Sequence, residues 1–371
     1  MHGPGRTSTG RRVEVRSSQG TYPVVIGAGL LDALGGFCAE LGLGRRALVV
    51  ASETVERLYG QRARGSLEAQ GFAVHRAVIP DGEEHKTPST LLRLYDACVE
   101  AGLDRSSFVV ALGGGVVGDV AGFAAATYMR GIDCVQVPTT LLAQVDASIG
   151  GKTGVNHSRG KNLIGAFHQP RGVLADVETL ATLPEREYRS GLAEVVKYGL
   201  IADAELFALL ERECDGLSRR EAPLLGPVVA RCAAIKGRVV EADEKEVGLR
   251  AILNYGHTVG HAIEAATGYR RFTHGEAVAV GMVVEGRLSV MLGMLEEGDF
   301  QRSVELIERA GLPTRAEGVP FDAVFEAMTK DKKARDGRLR FALLDGIGNA
   351  RIVEDVPVDA VAEAYRWHEA R

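Results

Sequence analysis

The stretch Phe108-Val109-Val110-Ala111-Leu112-Gly113-Gly114-Gly115-Val116-Val117-Gly118-Asp119 decides how the chain folds. Its first half is an uninterrupted apolar run of the kind that forms a strand buried on both faces. Its second half turns on glycines into a helix. Glycines at that point let backbone N–H groups approach a pyrophosphate, and the positive end of the helix favours the charge. The string satisfies G-x-G-x-x-G, a pattern that a tight strand–helix turn without any ligand also satisfies. It falls at the fourth or fifth strand, so it is not the first turn of an ordinary Rossmann unit.

On either side, Val24-Val25-Ile26, Ala47 to Val50, Ala73 to Ile79 and Cys134 to Val137 read as further buried strands. Helical stretches such as Val55 to Gln70 and Ser89 to Ala101 separate them. This alternation predicts a mainly parallel, Rossmann-like sheet covered by helices, with ligands beyond the carboxyl ends of its strands. From about Thr179 the strand-like runs nearly vanish. Helical patterns follow over Gly191 to Leu210, Leu225 to Glu241, Asn254 to Thr267 and Gly275 to Leu295, with one late strand over Leu339 to Leu344. The predicted architecture is an α/β N-terminal domain over residues 1–178 and a mostly α-helical C-terminal domain over residues 179–371. A linker is expected near Leu183-Pro184, and a cleft between the domains.

A chain of 371 residues is long enough for two domains. A hydrophobic share of 46% beside 25% charged residues is that of a soluble globular enzyme. The net charge of −5 argues against broad nucleic-acid binding, while local Lys and Arg clusters can still hold a small anion. Cys38, Cys98, Cys134, Cys214 and Cys232 are scattered and form no C-x-x-C pair, which predicts a reducing, cytoplasmic setting and no cysteine-rich zinc site. The polar, basic stretch from Met1 to Arg12 does not read as a secretory signal. Ala277 to Leu295 is the most apolar long segment, but Glu285 and Arg287 interrupt it, so it reads as a buried helix.

Several polar strings carry candidate chemistry. Asp81-Gly82-Glu83-Glu84-His85-Lys86 follows a strand and a proline. Such a charge run is commonly a solvated turn, yet at the carboxyl end of a strand it can hold a ribose or a phosphate. Ala147 to Asn156 contains Gly151-Lys152-Thr153 without the first glycine of a phosphate loop, which argues against a nucleoside triphosphatase. With Gly160-Lys161-Asn162 it suits a simple anion site. In the helical half His257 and His261 share one helix face, with Glu264 a turn further on. His274-Gly275-Glu276 opens the next helix. Glu194 and Lys197 share a face of another, where an i,i+3 surface ion pair is the alternative. A catalytic zinc takes about three N or O ligands with one position open, and a His/His/Glu set supplies them. The spacing excludes the H-E-x-x-H protease pattern but does not choose between His257 and His261.

Taken together these strings resemble the 3-dehydroquinate synthase family, from about Val13 to Gly348. In the first half the likeness rests on Gly113 to Asp119, Tyr128 to Gly131, Pro138 to Asp146, Ile149 to Asn156 and Gly160 to Asn162. In the second it rests on Gly191 to Gly199, Lys236 to Arg250, Leu253 to Glu264 and His274 to Gly281. The resemblance implies Glu194, His257 and His274 as zinc ligands, with cobalt able to replace zinc and His261 on the substrate side. It implies NAD contacts from Asp81, Gly82, Glu83, Glu84, His85 and Lys86, and from Gly114, Gly115, Val116, Val117, Gly118 and Asp119. Further NAD contacts fall on Thr139, Thr140, Lys152, Lys161, Thr179, Leu180, Ala181 and Thr182. Substrate contacts fall on Arg130, Asp146, Lys152, Asn162, Lys197, Lys236, Arg250, Asn254 and His261. A basic residue near the C-terminus is also implied, with Lys333, Arg338 and Arg340 as candidates. The chain departs from the family after Leu48-Val49-Val50: where an Asp is common it has Ser52 and then Glu53, so either Glu53 takes the place of the acid at the adenosine ribose or the grip there is weaker.

The activity so implied is that of a cytoplasmic, homodimeric phosphorus–oxygen lyase dependent on NAD and zinc, with no nucleic-acid or membrane partner. Its substrate would be 3-deoxy-D-arabino-heptulosonate 7-phosphate, and its products 3-dehydroquinate and phosphate, in the shikimate route. Transient oxidation of an alcohol, phosphate elimination, re-reduction and an intramolecular aldol closure make up the chemistry. A metal-dependent polyol dehydrogenase shares the two-domain plan and the glycine turn but releases NADH. Other sugar phosphate cyclases, with inosose, valiolone or amino-dehydroquinate products, usually differ at the positions of Lys236, Arg250, Asn254 and His261, which here agree with dehydroquinate synthases. A nucleotide-binding scaffold would not need the Lys/Arg/His set complete.

Overall fold

Apolar side chains alternating between two sheet faces organise the first of two units, made of the residues up to Leu183 together with Leu225–Glu244. The structure, a computed structural model, describes residues 10–246, 248–332 and 339–370. Its strands in this unit are β1 (Arg11–Ser17), β2 (Gly20–Gly27), β3 (Arg46–Ser52), β4 (Ala73–Ile79), β5 (Phe108–Gly113), β6 (Asp133–Pro138), β7 (Lys152–His157), β8 (Gly160–Phe167) and β9 (Gly172–Asp176). Seven of them form one sheet in the order β1-β2-β9-β6-β5-β3-β4, parallel throughout except for β1. Ala47, Val49 and Ala51 of β3 join Phe108, Val110 and Leu112 of β5 against the helices Leu34–Glu40 and Gln61–Ala69. Leu48, Val50, Val109 and Ala111 point the other way, onto the helices Pro88–Glu100 and Gly115–Thr127. A sheet covered on both faces has no place for polar alternation, which is why its strands are continuous apolar runs. The chain passes from β3 to β4 on one side and then to β5 on the other side of β3. Loops after β3 and β5 therefore diverge at the carboxyl edge, where open α/β sheets bind ligands.

The second unit comprises Pro184–Leu224 and the residues from Lys245 onward. It is built from the helices Glu185–Ala202, Ala204–Ser218, His257–Ala266, His274–Met291, Glu297–Arg309, Phe321–Lys332 and Val358–Ala370, with a small hairpin of β10 (Phe341–Leu344) and β11 (Ala350–Val353). Its core gathers Val259 and Ile263 from one helix, Val280, Val284 and Leu288 from another, and Phe341, Leu343 and Tyr365 from the C-terminal region. The helices His257–Ala266 and His274–Met291 approach backbone to backbone: an added β-carbon at Gly281 would stand 1.9 Å from the Gly256 carbonyl oxygen. Gly256, with φ of 78°, lies in the left-handed region that favours glycine. No side chain of its own caps this helix. The buried Glu285 on the neighbouring helix does so instead, accepting Gly256 N–H at 2.7 Å and Val259 N–H at 3.1 Å.

The fold class read from the sequence is the one observed, a mainly parallel α/β unit and a mostly helical one. All five anticipated strands of the first half are present, and the glycine turn follows β5, the fourth of them. Three details differ. Gly191 to Leu210 is not one helix; the chain breaks at Asp203, whose carboxylate caps the second helix by accepting Leu206 N–H at 3.0 Å. The glycine- and lysine-rich string after Ile149 forms the β7–β8 hairpin, which leaves Leu163 and Phe167 exposed and so lacks the alternation that marks a strand. The compact units divide at the expected linker, Leu183/Pro184, but Leu225–Glu244 packs with the first unit, where Gly237 lies against Val15 and Arg16 pairs with Glu241. Among the described residues no helix is long and apolar enough to cross a membrane, and the five cysteines are buried thiols.

The glycine contact predicts that Gly281→Ala destabilises the protein by about 3 kcal/mol, the cost of overpacking where backbone cannot yield. Urea unfolding of the variant against wild type measures this. A loss under about 0.5 kcal/mol would show that the two helices separate freely.

Candidate functional site

In the first unit the expected cofactor residues collect along one edge of the sheet. Asp81 to Lys86 follow β4, Glu53 follows β3, Gly114 to Asp119 follow β5, Thr139 and Thr140 follow β6, and Thr179 to Thr182 follow β9, all at the carboxyl ends of adjacent strands. Asp81 ties two of these loops together, accepting from Thr54 N at 3.1 Å and Thr54 Oγ1 at 2.7 Å. Burial opposes its charge, but bonds from Ser52 and Thr54 hold its carboxyl below the ordinary value. Glu53 is exposed beside it. Lys86 is buried, with Nζ 2.5 Å from Asp119 Oδ2 and 2.5 Å from Asn162 Oδ1. Burial pushes the Asp119 carboxyl up, against the pull of Lys86. Asn156 extends the network, donating to Glu83 Oε1 at 2.8 Å and accepting Asn162 N–H at 2.8 Å.

The expected substrate residues of this unit do not all meet. Lys236 Nζ is buried 2.9 Å from Asp146 Oδ1. Lys152 and Asn162 lie on the β7–β8 hairpin, where Lys152 is exposed, and Lys161 is half-buried next to Asn162. Arg130 stands apart. It follows the helix Gly115–Thr127, whose 13 residues carry the chain about 20 Å from the glycine turn to the opposite edge of the sheet.

The second unit brings the helical donors together. Glu194 is fully buried on Glu185–Ala202 and ion-paired with the equally buried Lys197. His257 Nε2 is 3.4 Å and His274 Nε2 3.6 Å from Glu194 Oε1. Bonds of about 2.0–2.1 Å to a tetrahedral zinc set neighbouring ligand atoms roughly 3.3–3.4 Å apart, so these separations suit one ion better than direct hydrogen bonds. Local structure fixes each donor. His257 Nδ1–H donates to the Tyr255 carbonyl at 3.1 Å, which leaves the Nε2 lone pair facing Glu194. His274 opens its helix behind a capping box of Thr273 and Glu276, and Gly275 N–H donates to Ser190 Oγ at 2.9 Å, one turn before Glu194.

Two donor sets occur among the described residues, Glu194/His257/His274 and His261/Glu264/His274, each with ligand atoms within 4.8 Å of one another. The first is the more buried; His261 is exposed. Burial and the Lys197 charge hold His257 well below the ordinary imidazole range, so it is neutral and ready to ligate. Burial also opposes charge on His274, but the facing carboxylates of Glu194 and Glu264 prevail and push it up to about 10.

Arg250 is 1% exposed, and Asn254 donates to Glu246 Oε1 at 3.0 Å. Of the C-terminal candidates, Lys333 and Arg338 lie outside the described residues, and Arg340 is 3.7 Å from Glu354. Sequence reasoning missed Glu246, and it missed Glu285, although a carboxylate inside an apolar helical run was a usable signal.

A doubly wound parallel sheet joined to helices that carry a buried carboxylate–histidine set defines a class of two-unit α/β enzymes. Solved structures share it. The 2-epi-5-epi-valiolone synthase ValA of Streptomyces hygroscopicus subsp. jinggangensis 5008, with NAD+ and Zn2+ bound, is 33% identical with a TM-score of 0.87, over 94% of this chain and 97% of that one. A 2-deoxy-scyllo-inosose synthase complexed with carbaglucose-6-phosphate, NAD+ and Co2+ is 28% identical with a TM-score of 0.87, over 96% of this chain and 100% of that one. Residues 76–190 match the model of the 3-dehydroquinate synthase N-terminal domain, and residues 191–334 that of the C-terminal domain. The 3-dehydroquinate synthase of Pelotomaculum thermopropionicum is 57% identical over 339 residues, 91% of each chain. The chain belongs to the 3-dehydroquinate synthase family, and formation of 3-dehydroquinate in the shikimate route is the activity that goes with membership.

If His274 ligates a metal, its raised pKa would couple metal uptake to proton release. With its pKa pushed up to about 10 by the two carboxylates, the ring favours its charged form near neutral pH, and ligation through Nε2 would require that proton to leave. Zinc affinity is therefore expected to rise about tenfold per pH unit between roughly pH 7 and 9, with about one proton released per ion. Calorimetry of the stripped protein in buffers of different ionisation enthalpy measures the release. Buffer-independent heats would show that His274 does not ligate.

Proposed function

We propose that the chain is an NAD- and divalent-metal-dependent phosphorus–oxygen lyase that converts 3-deoxy-D-arabino-heptulosonate 7-phosphate to 3-dehydroquinate and phosphate. The observation that carries this reading is the spacing of Glu194, His257 and His274, which would hold the ion, zinc or alternatively cobalt. NAD+ with Zn2+ or Co2+ in the two related cyclases supports the same pair here. The carboxyl-edge residues of the sheet, from Asp81 to Lys86 and Gly114 to Asp119 and at Thr139, Thr140 and Thr179 to Thr182, would hold the dinucleotide, with Lys152 and Lys161 near its charge. When bound, NAD supplies a reversible hydride acceptor and the ion polarises the substrate's vicinal oxygens.

The protein's own residues bind and orient the rest. Lys152, Asn162 and Lys236 of the first unit would offer positive charge and donors to a phosphate or a carboxylate, as would Lys197, Arg250 and His261 of the second. Asn254 is oriented by Glu246 to present its amide, and Asp146 is held by Lys236. Neutral His257 keeps its lone pair aimed by the Tyr255 carbonyl. The protein acts in the cytoplasm as a homodimer. Support for a second copy comes from Arg130, remote from the cofactor edge of its own chain, and from the exposed Met129, Leu163 and Phe167 of the same unit.

Arg250→Ala is expected to weaken transition-state binding by about 2–5 kcal/mol, the usual loss of a charge-assisted bond to a desolvated anion. Steady-state kinetics read this beside thermal melts. A collapsed melting temperature with unchanged kcat/KM would make Arg250 structural.

The fate of hydride tests the whole reading. The substrate's secondary alcohol is oxidised and later restored on the same carbon, so catalytic NAD suffices, no NADH accumulates, and deuterium on that carbon stays there in the product. A polyol dehydrogenase would release labelled NADH in proportion to turnover. Label found in free NADH or lost to water overturns the proposal.

A further inference from the structure

His274 has a partner on each ring nitrogen. Its Nε2 faces Glu194 at 3.6 Å, and its Nδ1 lies 3.3 Å from Glu264 Oε2. Glu264 is only 4% exposed, on the third turn of the helix that begins with His257. A carboxylate is not carried into such a place without a partner, because the burial of an unpaired charge is costly. One imidazole also cannot offer lone pairs on both nitrogens while neutral. If Nε2 turns to an ion, Nδ1 keeps its hydrogen and donates it to Glu264. The other histidine is anchored by the same logic, its Nδ1–H on the Tyr255 carbonyl. The two anchors differ in kind: a neutral carbonyl for His257, a buried charge for His274.

We infer that Glu264 is a positioning residue of the metal centre. It fixes the tautomer and ring plane of His274, and its charge strengthens that ligand's bond to the ion, acting through His274 without touching the metal. The inference rests on the assignment of Glu194, His257 and His274 as ligands. Geometry offers one competitor, the set of His261, Glu264 and His274, in which Glu264 would itself ligate.

The test uses full-length protein stripped of metal and reloaded, with Glu264→Gln, Glu264→Ala, His274→Ala and His261→Ala compared with wild type. Zinc affinity is measured by competition with a chromophoric chelator, and the visible d–d spectrum is recorded at saturating Co2+. The expected results are a loss of about 10–100-fold in affinity for Glu264→Ala with an altered cobalt spectrum, and partial recovery of both in Glu264→Gln, whose amide oxygen still accepts from Nδ1. His274→Ala should lose the metal, and His261→Ala should keep it. A role confined to helix stability would lower the melting temperature of Glu264→Ala and leave the saturated cobalt spectrum as in wild type, which overturns the inference. Equal and complete loss in Glu264→Ala, Glu264→Gln and His261→Ala would make Glu264 a ligand, and overturns it too. Retention of metal by His274→Ala would instead sink the ligand assignment itself, so the two failures are distinct.

Discussion

Two helices that touch backbone to backbone set the geometry of the helical unit. Side chains normally keep helix axes about 8–10 Å apart. Where Gly256, Gly260 and Gly281 meet there are no side chains to do so; even at Gly260 an added β-carbon would lie 3.0 Å from the Ala277 carbonyl oxygen. Close approach of these axes lets imidazoles from two different helices converge on one carboxylate of a third. It also has a local cost. With Gly256 in a left-handed conformation at the helix start, the usual Ser, Thr or Asp cap is missing, and two amide hydrogens at 256 and 259 would be buried without partners. Glu285 answers both, its buried negative charge set against the positive end of the His257 helix. Glu285 thus holds in register the element that bears His257.

Around Glu194 the electrostatics are deliberately uneven. His257 and His274 face the same carboxylate oxygen, yet one is driven toward the neutral form and the other toward the charged form. The difference lies in what else each ring sees: the Lys197 ammonium repels charge on His257, whereas Glu264 attracts it on His274. The buried Glu194–Lys197 pair is costly to desolvate and is kept in a place where an apolar pair would pack as well, which fits a role in chemistry better than one in stability.

Much of this was legible in the residues. A parallel sheet announces itself because both faces are covered, so Val109, Val110 and Ala111 needed no alternation to be recognised as strand. The donor types for a metal were legible as well, since His257 and His261 share a face. Which of the two meets Glu194 was not, because that depends on where the helix Glu185–Ala202 lies, a fact no local spacing encodes. Leu225–Glu244 looked like part of the helical half because helical periodicity says nothing about which core a helix joins. The β7–β8 hairpin was hidden for a different reason. Its glycines and lysines read as a loop, and the exposed apolar residues of β8 remove the periodic signal that burial on one side creates.

The path of the backbone has its own consequence. The chain completes the sheet unit's strands, leaves for the helical unit at Pro184, returns for Leu225–Glu244, and leaves again at Lys245. Lys236 is thus supplied to the sheet unit by a segment encoded more than forty residues after the last strand of its sheet. No single cut separates the halves: a fragment ending at Leu183 lacks a helix of its own core, and a fragment starting at Pro184 carries that helix as an orphan apolar surface. The two units are bound to one another by interleaved inheritance, so they must be copied, expressed and lost together.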